Sequence, residues 1–141
     1  MNEVINESKN KPGIVIFVAI LNFFSSTAWL IGAALFTALL IFGNAVGFYQ
    51  TITNQLQERL ASQNLTIGLN AVFSFFLILS LFFASFHLLI GIGLLKGKGA
   101  AWYVQIVTAI MGLILIPYGT VVSLIILVFF FRSNVRSFFK V

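Results

Sequence analysis

The stretch Gly91-Ile-Gly-Leu-Leu-Lys-Gly-Lys-Gly-Ala-Ala-Trp102 decides the fold, because it places four glycines and two lysines between two long apolar runs. Glycine at positions 97 and 99 can adopt the positive φ that ends one helix and reverses the chain. Lys96 and Lys98 are typical of a turn at a charged lipid surface, and the tryptophan that ends the stretch is typical of a span that starts at headgroup level. The stretch therefore predicts a tight cytoplasmic turn between two membrane helices.

The composition of this 141-residue chain is that of a membrane protein. Apolar residues make up 60% and charged residues 8%, and the mean hydropathy of +1.09 is too high for one small soluble core. The net charge of +5 comes from basic residues that flank apolar runs, so membrane lipids rather than nucleic acids are the expected partner. With no cysteine, the chain can form neither a disulfide nor a thiolate metal site.

Four apolar runs divide the chain, at about residues 14–42, 70–95, 100–116 and 118–131, and each is predicted to be a membrane helix. The first run, at ~1.5 Å per residue, exceeds the ~30 Å hydrocarbon core and must tilt or protrude. It is also too long for a signal sequence, so the segment before it is expected to be retained. We therefore predict an all-α fold with one domain, an integral membrane four-helix bundle.

The segment at about residues 43–69 has a different composition, rich in Gln, Asn, Thr and Ser. Apolar residues recur within it at every fourth position, which is the spacing of an amphipathic helix. These residues are Phe48, Ile52, Leu56 and Leu60. The segment is predicted to form an external amphipathic helix between helices 1 and 2, which lies flat in the outer interface, extends the first membrane helix or caps a partner subunit.

Basic residues determine the predicted orientation. With four spans, seven of the eight basic residues lie on one side of the membrane, and the positive-inside rule places that side in the cytoplasm together with both termini. The seven are Lys9, Lys11, Lys96, Lys98, Arg132, Arg136 and Lys140. The tail, residues 132–141, is expected to continue the fourth helix into the interface. Its three basic side chains and the two lysines of the glycine turn are predicted to bind anionic lipid headgroups.

Polar side chains lie at similar depth in the four apolar runs. Counted from the nearest cytoplasmic basic residue at ~1.5 Å per helical residue, each helix presents one polar group roughly 13 to 17 Å into the membrane. The predicted mid-membrane polar layer consists of Asn22, Ser26, His87, Gln105, Thr108 and Ser123. Polar side chains without water need partners, so the favoured interpretation is an interhelical hydrogen-bond layer, at ~1 kcal/mol or less for each bond.

His87 is the only ionisable side chain in the second apolar run, and it has a further interpretation. A histidine inside a membrane can be an axial ligand for haem or for a chlorophyll-type magnesium, or part of a proton or ion relay. A single histidine supplies a single ligand, so bis-histidine coordination would need a partner chain. Hydrogen bonding is the favoured role, and the cofactor site is a hypothesis.

Four short motifs follow Leu88: Gly-Leu-Leu-Lys-Gly-Lys at 93–98, Ala-Trp at 101–102, Pro-Tyr-Gly-Thr at 117–120 and Val-Arg-Ser-Phe-Phe at 135–139. Over about its last third, the chain thereby resembles a broad set of uncharacterised prokaryotic four-span membrane proteins. The resemblance implies a small four-helix membrane fold in a prokaryotic inner or plasma membrane. It supplies no catalytic residue.

No catalytic arrangement can be assembled from the sequence. Aspartate is absent, and the three glutamates lie in the N-terminal segment and the outer loop. The chain has no Ser-His-carboxylate set, no metal-ligand cluster and no phosphate-binding loop. We therefore predict a non-catalytic structural or accessory subunit that docks to a larger membrane complex or self-associates. The alternatives are a small oligomeric channel or transporter lined by the polar layer, and a cofactor-binding subunit that uses His87.

Overall fold

The computed structural model describes residues 11–43, 45–60, 65–114 and 116–141, and the regular secondary structure in these ranges is entirely α-helical. The all-α prediction is confirmed. Lys9, which the predicted orientation uses, lies outside the described residues. In chain order the helices are α1 (Gly13–Phe42), α2 (Phe48–Leu60), α3 (Leu65–Leu95), α4 (Gly99–Gly112), α5 (Tyr118–Phe130) and α6 (Ser133–Phe139).

Two helices are long and apolar enough to cross a membrane. α1 has 30 residues, and α3 contains the 28-residue apolar stretch Gly68–Leu95. α4 has 14 residues and α5 has 13, so each is about 20 Å long at ~1.5 Å per residue. A third candidate span exists only when α5 and α6 are taken together as one bent span. The predicted four-span bundle is therefore not confirmed, because residues 113 and 114 form a turn instead of extending α4.

The chain divides into two compact units. Unit 1 combines the start of α1, up to Phe24, with residues His87–Val141, and unit 2 is Ser25–Phe86. Both long helices thus contribute one part to each unit. The glycine turn, α4, α5 and α6 belong to unit 1, whereas α2 belongs to unit 2.

The glycine turn of unit 1 ends α3 as predicted. Gly97 has φ 64°, and its N–H donates to the carbonyl oxygen of Leu94 at 3.0 Å. The N–H of Lys98 donates to the carbonyl oxygen of Gly93, also at 3.0 Å, which completes a Schellman motif. Positive φ at Gly97 is confirmed. The same expectation for Gly99 was wrong, because one left-handed residue reverses the chain and Gly99 already begins α4.

α4 and α5 form an antiparallel hairpin that is hydrogen-bonded at both ends. At one end, the indole N–H of Trp102 donates to the carbonyl oxygen of Phe130 at 3.1 Å. At the other end, the hydroxyl of Thr120 donates to the carbonyl oxygen of Leu113 at 2.9 Å. Both acceptors lie at helix ends, where carbonyl groups lack a helical partner. The side chains therefore satisfy groups that the backbone leaves unpaired.

The tail does not continue α5. The chain leaves α5 at Phe131, passes through Arg132 in an extended conformation (φ −66°, ψ 144°), and starts α6 at an angle of 78° to α5. The prediction of a continuous helix was wrong. Val135 and Phe139 on α6 are buried, and the bend is what brings this apolar pair back onto the protein.

Unit 2 holds its helices together mainly through aromatic rings. Trp29 on α1 stacks on Phe83 of α3 with ring centroids 5.0 Å apart, and Phe36 stacks on Phe76 at 5.6 Å. These pairs lie along the two long apolar helices, where large side chains fill the space between the backbones. The helix predicted within residues 43–69 is present as α2, over Phe48–Leu60, and its external position stays a prediction.

Tyr49 packs against the end of α1, where the chain turns toward α2. Tyr49 is 1% exposed, and its hydroxyl donates to the carbonyl oxygen of Leu39 at 2.8 Å. The ring lies so close to Gly43 that a Cβ atom there would be 2.7 Å from Cζ of the tyrosine. It also stacks on Phe73 of α3, with centroids 5.8 Å apart. Tyr49 therefore fixes how the chain leaves α1.

Candidate functional site

Two polar side chains of unit 1 bond to Asn22 on α1, which is 5% exposed. Its amide Nδ2 donates to Oε1 of Gln105 on α4 at 2.8 Å and to the carbonyl oxygen of Val18, one turn earlier on α1, at 2.9 Å. Its Oδ1 lies 3.0 Å from Nδ1 of His87 on α3. Asn22, His87 and Gln105, the polar network, thus connect three helices.

The carbonyl oxygen of Val18 determines which atoms of the polar network carry the hydrogen-bonding protons. The carbonyl oxygen of Val18 can only accept, so the atom of Asn22 that faces it is the amide nitrogen. Asn22 Oδ1 is then the atom that faces His87, and it also can only accept. Nδ1 of His87 therefore carries a proton and donates it, and in the neutral imidazole Nε2 is the acceptor nitrogen.

Two sequence features allow α1 and α3 to approach at the polar network. On α1, Asn22 continues a buried face whose earlier members, Val15, Val18 and Ala19, recur at helical spacing. On α3, Gly91 follows His87 by one turn, and a Cβ atom there would come within 2.8 Å of the Phe23 ring. The missing side chain at position 91 therefore leaves room for the phenylalanine beside the hydrogen bond.

The other three residues of the predicted layer lie outside the polar network. Ser26 is buried in unit 2, where its hydroxyl donates to the carbonyl oxygen of Ala84 at 2.8 Å. Thr108 donates to the carbonyl oxygen of Val104 on its own helix at 2.9 Å, a common alternative partner for threonine in a helix. Ser123 is buried beside Gly112, where a Cβ atom would overlap its hydroxyl oxygen.

Trp102 is buried within unit 1. It is 6% exposed, and its ring packs edge-on against Phe131 with centroids 5.7 Å apart. Its location at headgroup level stays a prediction. The bend after α5 leaves the carbonyl of Phe130 without a helical donor, and the indole N–H takes that place. Neither this contact nor the one between Tyr49 and Leu39 follows from a local sequence pattern.

The five basic residues predicted to bind headgroups are all exposed in unit 1. Two lie in the glycine turn, and three lie on or beside α6: Lys96, Lys98, Arg132, Arg136 and Lys140. The guanidinium carbon of Arg132 lies 4.2 Å from the centroid of the Phe129 ring, within cation–π range. These residues are separate from the buried polar network.

The chemistry available at the polar network is one imidazole and two carboxamides. Within the described residues there is no group of three or more His, Cys, Asp or Glu that could hold a metal ion. Haem or a chlorophyll-type magnesium would find a single axial ligand in His87, and that role stays a hypothesis. The arrangement is suited to directional hydrogen bonding between helices.

Comparisons with known protein families, with curated protein sequences and with solved structures find no match. The resemblance of the last third of the chain to prokaryotic four-span membrane proteins accordingly stays a prediction. The function has to be argued from the polar network and from the apolar surface around it.

Proposed function

We propose that the protein is a membrane protein with four inserted helices, in which α1 and α3 are full spans and α4 and α5 form a shorter hairpin. Ile114 and Ile116, between α4 and α5, are 78% and 83% exposed, which suits lipid better than water. Whether or not the hairpin crosses completely, it returns the chain to the side from which it started. The seven basic residues then share the cytoplasmic side with both termini.

Two single cysteines test this orientation. Asn54 on α2 and Ser133 on α6 are both exposed, and Asn54→Cys and Ser133→Cys should react with a membrane-impermeant reagent from opposite faces of oriented vesicles. Ser133→Cys should react from the cytoplasmic face. Labelling of both cysteines from one face would exclude this arrangement.

The role we propose is that of a non-catalytic structural or accessory subunit that associates with other membrane helices. The observation that carries this proposal is that Asn22 uses both amide hydrogens and its oxygen on groups of its own protein. Such bonds fix the register of helices inside a membrane. Large apolar side chains remain on the outside of both long helices, with Phe24, Ile78 and Leu89 at 74%, 67% and 69% exposure.

Site-specific photocrosslinking in native membranes tests the association. A photoreactive side chain at Leu89 should give a protein adduct of defined mass, either with another subunit or with a second copy. The matched control is Leu94, on the same helix and fully buried, which should give no intermolecular adduct. If the probe at positions 24, 78 and 89 reacts only with lipid, the accessory role is wrong.

A further inference from the structure

The C-terminal end of α6 packs on the glycine turn. Val135 is fully buried, and the ring of Phe139 lies near Phe130 of α5, with centroids 6.2 Å apart. A Cβ atom on Gly97 would lie 3.2 Å from the carbonyl oxygen of Phe138, and one on Gly99 would lie 3.2 Å from a side-chain carbon of Val141. The glycines thus leave the space in which the end of α6 sits.

This packing brings together basic residues from two distant segments of the chain. Lys96 and Lys98 come from the turn and stay exposed. Arg136 and Lys140 each follow a buried residue of α6, and Arg132 directly precedes α6; all three are exposed as well. We call these five residues the cationic surface. Because α6 is docked, the cationic surface belongs to the folded unit and is not a free tail.

The cationic surface has no acidic counterpart in the sequence around it. Glu58 is the last acidic residue of the chain, so residues 87–141 contain no aspartate or glutamate. Like charges that lie close together repel one another, and anions from outside can neutralise them. The surface lies where the apolar helices α3 and α5 end, which is where headgroup phosphates are found.

We propose that α6 and the glycine turn form one preorganised docking surface for the headgroups of anionic phospholipids. Basic residues from both segments contribute, and the docking of α6 holds them in place. Preorganisation reduces the ordering that binding would otherwise require. The inference needs only that the protein lies in a membrane, and it does not depend on the subunit association proposed above.

Lipid titration of the detergent-purified full chain tests this inference. Phosphatidylglycerol should raise the unfolding temperature at a lower concentration than phosphatidylcholine with the same acyl chains. Lys98→Gln and Arg136→Gln should each weaken phosphatidylglycerol binding about fivefold, the effect of one basic residue near an anionic surface. The control is Arg59→Gln, which changes the eighth basic residue of the chain. This residue is predicted to lie on the opposite side of the membrane, so its loss should change binding less than about twofold.

Val135→Ser and Phe139→Ser test the docking of α6, because they keep all five charges. Each should weaken phosphatidylglycerol binding by at least about fivefold, with faster hydrogen exchange in α6, since the two segments no longer act together. Wild-type affinity in a variant whose α6 is released would overturn the inference. So would an equal loss in Arg59→Gln and Lys98→Gln, or the same stabilisation by inorganic phosphate alone. Lys98→Gln and Arg136→Gln change exposed residues only, so they test the contribution of both segments to lipid binding even if the serine variants do not fold.

Discussion

Unit 1 and unit 2 hold α1 against α3 by different interactions. In unit 1, a side-chain hydrogen bond joins Asn22 to His87. In unit 2, stacked rings such as Trp29 and Phe83 fill the space, and Ser26 bonds to a backbone carbonyl. Aromatic rings can also pack against apolar lipid tails, whereas linked polar side chains inside a membrane lose their partners when the helices shift. The comparison therefore predicts that unit 1 contributes more than unit 2 to the alignment of α1 and α3.

The largest expected effect is that of Asn22→Leu. It removes the central residue of the polar network together with its hydrogen bonds to His87 and Gln105, so we expect a loss of about 2 to 3 kcal/mol. Thermal unfolding in detergent measures it. The matched change in unit 2 is Ser26→Ala, which should cost only about 0.6 kcal/mol, because the Ala84 carbonyl lies within a helix. Equal losses would remove the distinction between the two units.

Trp102→Phe should have an intermediate effect. It keeps an aromatic ring but removes the N–H that bonds to Phe130, so we expect a loss of about 1 to 2 kcal/mol. Hydrogen exchange should also become faster in α6, which starts just after that carbonyl. Unchanged stability together with unchanged exchange would show that the indole hydrogen bond does not support the bend. Because the chain has two tryptophans, Trp29 remains as a fluorescence probe of unit 2.

Tyr49→Phe should have the smallest effect. The Leu39 carbonyl oxygen also accepts the backbone N–H of Gly43 at 2.8 Å, so it stays hydrogen-bonded when the hydroxyl is lost. The ring and its contact with Phe73 are retained. We expect a loss of about 0.5 kcal/mol, again by thermal unfolding. A loss above about 1.5 kcal/mol would mean that unit 2 depends on a polar contact as unit 1 does.

Local chemistry explains what the sequence could predict. The long apolar runs of α1 and α3 predict helices by composition alone, and Gly97 predicts the turn because few other residues adopt positive φ there. The bend before α6 could not be predicted, because it depends on the part of the folded protein against which Val135 and Phe139 are buried. The apolar sequence around α6 does not show which part that is.

Depth in the membrane could be counted from the sequence, but direction around the helix could not. Gln105 and Thr108 lie within one turn of each other, yet Gln105 reaches Asn22 and Thr108 bonds to its own helix. Which of them joins the polar network depends on how α4 is rotated toward α1. That rotation is set by contacts between residues far apart in the chain, including those of Trp102.

The central claim is that His87 is a hydrogen-bond donor to Asn22 and not a ligand or relay. The most direct test is thermal unfolding of His87→Gln and His87→Leu in detergent, with the visible spectrum recorded for each and for the wild type. We expect a loss of at most about 1 to 2 kcal/mol for glutamine, which keeps an amide donor on a flexible side chain, and a larger loss for leucine. A chromophore band or an ion flux that glutamine abolishes while stability is kept would contradict the claim.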